Sequence, residues 1–277
     1  MLQWIRTDRR LAIALIATGL ALPGCERRAQ TRPQAPPSPP AAETTPPRLP
    51  TLPPPALGRS EVLLALDAAS SAYAAGRMGG AEDLAGRRFA IRQAFGCPGS
   101  PSSNDDDDAG RADWKWNAEK TAIELSLRPA DWTQAPIMAG DDGWEAVEGF
   151  WLVRPWLREE GCPAIAAGGA PTEEAPPPAS PQTAGLAAVF EHGGSRVGRR
   201  NGKAFSFTIR GEPAPQLPAA GYRLVLEGRF VAFPGGRAIR CQTDSPDRRP
   251  LCIVAAEVDR VAFEDADGKV LSEWRPA

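Results

Sequence analysis

Histidine is almost missing: His192 is the only one in 277 residues. A chain with one imidazole cannot assemble a multi-histidine metal centre. Acid–base chemistry would have to rest on that residue or on carboxylates. Cysteine occurs five times but never as Cys-x-x-Cys, so the thiols offer no compact tetrahedral zinc site. No phosphate-binding glycine loop is present, because Gly202-Lys203 lacks both the upstream Gly and the following Ser/Thr. After residue 22 no apolar stretch approaches the roughly 20 residues that cross a bilayer. A net charge of −2 gives no electrostatic footprint for nucleic acid, which calls for a clustered basic face, and disfavours it as a partner. No cofactor, metal or nucleic-acid partner is therefore expected.

What the sequence does contain begins with Arg6, Arg9 and Arg10, followed by an apolar run from Leu11 to Leu22. That run is too short for a permanent span and suits a cleavable export signal. It ends in Leu22-Pro23-Gly24-Cys25, which resembles the lipobox of bacterial lipoprotein precursors, with Leu at −3, small residues at −2 and −1, and the Cys. Pro23 departs from the usual Ala or Ser. The resemblance implies cleavage before Cys25, acylation of its thiol and a membrane anchor through that lipid. Several acyl chains at roughly 0.8 kcal/mol per buried methylene would hold stably. Glu26 in place of Asp after the Cys implies an outer-membrane lipoprotein facing the periplasm. Cleavage removes three of the 32 basic and one of the 34 acidic side chains, which leaves 29 against 33, or −4.

Residues 26–55 hold 11 prolines and almost no large apolar side chains. Proline fixes φ and lacks an N–H, so this stretch reads as a disordered tether reaching at most about 90 Å at ~3.1 Å per residue. A PxxP ligand for a partner's groove is the alternative. Ser60 then offers a helix N-cap, with Glu61 in the first turn and Val62, Leu66, Ala69 and Tyr73 at helical spacing. This predicts one amphipathic helix, with Tyr73 in the core.

From Arg87 the period changes to two. Phe89, Ile91 and Phe95 alternate with polar or small neighbours, as do Ile123, Leu125 and Leu127. The same holds for Phe205, Phe207 and Ile209, and for Tyr222, Leu224 and Leu226, with Gly228 marking a bulge or bend. Pro234-Gly235-Gly236 predicts a hairpin between 229–233 and 237–241, and Asp267-Gly268 another between 258–264 and 269–274. The expected fold is mainly β, an antiparallel sandwich or barrel with one N-terminal helix. The expected divisions are a signal at 1–24, a lipidated Cys with its linker at 25–58, and a helix-plus-β region at 59–162. A linker or surface loop at 163–184 and a β region at 185–277 complete the chain. The two β regions form either one domain or two.

Setting Cys25 aside leaves Cys97, Cys162, Cys241 and Cys252, an even set that in an exported chain argues for two disulfides. Cys241 and Cys252 flank a polar loop between strand-like runs, which pairs them and leaves Cys97 with Cys162. Loop closure gives about 3 and about 4 kcal/mol respectively as upper figures.

Catalytic motifs are weak. Glu191, His192 and Ser195 lie close in sequence, but Gly193-Gly194-Ser195-Arg196-Val197 lacks the second Gly of a nucleophile elbow. Asn104 to Asp108 and Asp141-Asp142 read as solvated turns and fail the Ca²⁺-loop spacing. Tryptophan is concentrated instead: Trp114, Trp116, Trp132, Trp144, Trp151 and Trp156 all fall between Cys97 and Cys162. Such rings either fill a β core or form a binding face for an envelope glycan, for which Trp114, Trp116, Trp144, Trp151 and Trp156 are the candidate residues. The expectation is a lipid-anchored envelope protein that binds or scaffolds an envelope protein or glycan. A periplasmic hydrolase is the alternative.

Overall fold

Alternating apolar residues give a strand one dry and one wet face, and here nearly every such run finds a partner. The computed structural model describes residues 53–77, 84–98, 109–140, 143–163 and 181–276. Residues 1–52, with Cys25 and the expected export signal and tether, and both Asp runs (104–108 and 141–142) lie outside the described residues.

Among the described residues one α-helix, α1 (Arg59–Ala74), precedes eleven strands. These are β1 (Arg88–Phe95), β2 (Ala112–Asn117), β3 (Ala122–Leu127), β4 (Ala130–Asp131), β5 (Trp144–Trp151) and β6 (Ala184–Glu191). There follow β7 (Phe205–Ile209), β8 (Tyr222–Phe230), β9 (Ile239–Gln242), β10 (Leu251–Glu264) and β11 (Val270–Trp274). The fold is mainly β, in two sheets. An eight-stranded sheet runs β1-β8-β10-β6-β5-β4 with β9 and β11 also on β10, and a three-stranded sheet runs β2-β3-β7. Residues 52–277 form one compact unit, and β5 and β6, from either side of the 163–184 segment, are direct neighbours.

The fourteen-residue β10 organises the large sheet. β9 pairs with its first part and β8 with its second, while β6 and β11 also pair with it. Four expectations change here. The β6–β10 pair is parallel, because β7, β8 and β9 intervene and return the chain in the same direction. The turn at Pro234-Gly235-Gly236 is closed by Phe233 N–H donating to Arg237 O at 2.8 Å and Gly236 N–H donating to Phe233 O, but no ladder between β8 and β9 extends it. Both flanking segments hydrogen-bond to β10 instead. Tyr73 is 41% exposed rather than core, because α1 turns Val62, Leu63 and Leu66 inward. The helix cap also moves: Gly58 is the N-cap and Ser60 lies within the first turn. By contrast, the β10–β11 hairpin closes at Asp265–Lys269, and Gly228 faces a bulge between Val258 and Arg260.

The main core lies between the sheets. Ile123, Leu125, Leu127 and Phe205 of the small sheet join Leu224, Leu226, Phe263 and the buried face of α1 in one cluster. The Phe205 ring meets Trp274 edge-on at 5.2 Å. Both expected disulfides form: Cys97–Cys162, and Cys241–Cys252 between directly opposed residues of β9 and β10.

Candidate binding cleft

A second, smaller core lies on the large sheet around Val147, Ala187, Ile253 and Ala255, and Trp132 covers it. Two glycines make room. Gly149 on β5 pairs with Ala187, and Gly185 on β6 pairs with Trp151, so the glycines are diagonal neighbours on one face. A Cβ at Gly149 would stand 2.1 Å from Trp132 Cδ2 and Cε2, and one at Gly185 would stand 2.5 Å from Trp132 Cη2. The indole thus fills a trough that only glycine leaves open. Trp132 is held by its own N–H donating to Val147 O at 2.9 Å, while Thr133 Oγ1 accepts Val147 N–H at 3.0 Å. Beyond it a 3₁₀ turn, Pro136–Met138, drops Ile137 and Met138 into the same core. Arg240 braces that turn from β9 by donating to Ile137 O at 3.3 Å and stacking on Phe233 at 4.6 Å.

Beside this cover opens a cleft of about 760 Å³, within the roughly 300–1,000 Å³ typical of small-ligand sites. One wall is apolar: Trp132 and Trp151, whose rings meet edge-to-face at 4.7 Å, with Ile137, Leu251 and Ile253. The other is polar and comes from the β9–β10 loop, closed by Cys241–Cys252, and from the residues leading into β6. Thr243 Oγ donates to Ser245 O at 2.7 Å and shapes the loop. Arg248 pairs with Asp244 at 3.1 Å, and Arg249 reaches across to Asp67 of α1. Gln182 lines the cleft, and its Oε1 is buried with no hydrogen-bond partner among the described residues.

The five tryptophans named from sequence are spread over the molecule. Trp114 and Trp116 share one face of β2, opposite Leu125 and Ile123. Trp114 packs on the main core, while Trp116 is 45% exposed at its edge. Trp144 leans on the second core, and Trp156 is 60% exposed in the loop after β5. Only Trp151 of the five lines the cleft, and its companion is Trp132. Gly149 and Gly185, unusual inside apolar strands, were the sequence signal for it.

His192 is exposed in the turn after β6, and Ser195 Oγ there accepts the N–H of Val197 at 3.2 Å. Among the described residues no group of three or more His, Cys, Asp or Glu is placed to hold a metal.

A second concavity, of about 550 Å³, is lined by charged side chains around Glu148. Glu148 Oε1 accepts the backbone N–H groups of Arg200 and Asn201, each at 2.7 Å, and pins the loop after β6. Burial pushes its carboxyl above the ordinary 4.5, against those two hydrogen bonds. A folded value above the unfolded one means that the native state holds this proton more tightly. The resulting contribution is therefore fully present below the unfolded value and is lost as pH rises through the folded one. Glu148→Gln keeps an acceptor but cannot titrate. The stability of the wild type relative to this variant is expected to fall between pH 4 and pH 7, as thermal unfolding at both values would record.

Comparison with protein-family profiles, with curated proteins and with solved structures found no match.

Proposed function

We propose that this is a lipid-anchored cell-envelope protein, held at the outer membrane through acylated Cys25, that acts by binding rather than by catalysis. The observation that carries the binding part is the Trp132–Trp151 cleft: a preformed, open cavity with one aromatic wall and one hydrogen-bonding wall. Its lining holds indoles, amides and arginines already paired with carboxylates, a set suited to gripping a molecule. The Leu22-Pro23-Gly24-Cys25 sequence and the proline-rich stretch support the anchor. The two disulfides are compatible with an oxidising compartment.

Expression with an alkyne-tagged palmitate tests the anchor directly. The wild type is expected to carry the tag and fractionate with the outer membrane, and Cys25→Ser is expected to remain an untagged, longer precursor. A tag retained on Cys25→Ser would contradict the anchor.

A further inference from the structure

We propose, resting on the binding reading above, that the cleft takes an uncharged saccharide ring, laid against the Trp132–Trp151 wall with its hydroxyls toward Gln182 and the β9–β10 loop. Three observations lead there. The first is the division of the lining. Trp151 and Leu251, backed by the buried Trp132 and Ile253, form one side, while Gln182, Gln242 and Asp247 supply amides and a carboxylate on the other. A pyranose has the complementary division, with C–H groups on its faces and hydroxyls around its edge. An acyl chain has only the first half.

The second is Gln182 Oε1, a buried acceptor without a partner among the described residues. Turned toward the cleft, the Gln182 amide would accept from a ligand hydroxyl, whereas a purely apolar occupant leaves the oxygen as unpaired as it is in the free protein. Gaining that hydrogen bond favours the hydroxylated ligand by roughly 5- to 100-fold. The third concerns charge. The two guanidiniums of the loop are already engaged, Arg248 with Asp244 and Arg249 with Asp67. Each pairing engages a single guanidinium nitrogen, and Asp244 and Asp247 stand in the same lining, so an anionic headgroup would meet two carboxylates along with the arginines. A neutral, hydroxylated ring meets no such repulsion.

The test is a titration of the detergent-solubilised full chain, followed by tryptophan emission. The probes are tetrasaccharides of β-1,4-N-acetylglucosamine, β-1,4-glucose and α-1,4-glucose, with palmitate as the apolar control. At least one tetrasaccharide is expected to shift the emission saturably. Gln182→Ala should weaken it roughly 5- to 10-fold, and Trp151→Ala by at least about 10-fold. Trp151 also packs on the second core, so Gln182→Ala with an unchanged unfolding midpoint is the deciding variant. Saturable palmitate binding without saccharide binding overturns the ligand class and leaves the cleft a binding site. Silence toward every probe overturns both. Saccharide binding that Gln182→Ala and Trp151→Ala leave unchanged places the sugar elsewhere and overturns the assignment.

Discussion

Gly149→Ala is expected to destabilise the protein by about 3–5 kcal/mol, far more than an alanine normally costs in a strand. The new methyl carbon would sit 2.1 Å from two carbons of the Trp132 ring, where no rotamer adjustment of alanine exists. The indole must therefore leave its trough. Trp132 is 7% exposed, and expelling it strips the cover from Val147, Ala187 and Ile253 and loosens Ile137 and Met138. That amounts to losing a buried tryptophan from a core. Gly185→Ala should cost less, because its methyl meets the far end of the ring, Cη2, at 2.5 Å, and a small tilt relieves much of the clash. Urea unfolding of both variants supplies the ranking. The explanation also requires strong coupling: Trp132→Ala combined with Gly149→Ala should cost much less than the two changes summed. A Gly149→Ala protein within 1 kcal/mol of the wild type would show that the trough is not what orders this face.

The same glycines illustrate how far the chain was readable. Strand existence was legible wherever one face is dry and the other wet. Ile123, Leu125 and Leu127 point into the core with Glu124 and Ser126 between them, as alternation requires. The cysteine pairing was legible because an even set flanked one short polar loop. Partner choice was not. Period-two alternation says which face a strand buries but carries no information on its neighbour, so β9 was assigned to β8 when both pair with β10. A long crossover can return in either direction, which hid the parallel β6–β10 pair. The cleft was half visible. The concentration of tryptophan pointed to the right segment, yet of the five rings named there only Trp151 lines the cleft, while Trp114, Trp116, Trp144 and Trp156 lie elsewhere. Trp132 is found through what it displaces: two missing side chains on adjacent strands at a diagonal register. That register exists only once β5 and β6 are paired across a separation of more than thirty residues.

Arg59→Ala is expected to cost a further 3–5 kcal/mol, about as much as breaking a buried ion pair. At 2% exposure this guanidinium is the largest fully buried side chain of the fold, and it has no carboxylate partner among its hydrogen bonds. It instead donates to four backbone carbonyls of the loop after β5: Nη1 to Leu157 and Glu159, Nη2 to Val153 and Arg154. Burial, and after it the neighbouring Arg154, pulls its pKa down to about 10, so it remains a cation at neutral pH. Four oriented carbonyl dipoles, with the nearby Glu160 carboxylate, do the work that a paired counter-ion does elsewhere. Truncation would leave all four carbonyls without this donor in a part-buried site, together with the void of the lost side chain. Arg154 could not substitute, since its Nη2 is committed to Ala94 O on β1. Arg59→Lys distinguishes geometry from charge. An ammonium has three donors on one atom and cannot span carbonyls that the planar fork reaches from two nitrogens. Lysine is therefore expected to recover less than half of the loss, measured by urea unfolding. Full recovery would mean that any buried cation suffices. The location gives the residue its consequence: Arg59 opens the helix that follows the proline-rich stretch, and the loop it grips runs on to Cys162, whose disulfide reaches the end of β1. One guanidinium thus fastens the first helix of the body to a loop that is otherwise irregular and carries the exposed Trp156.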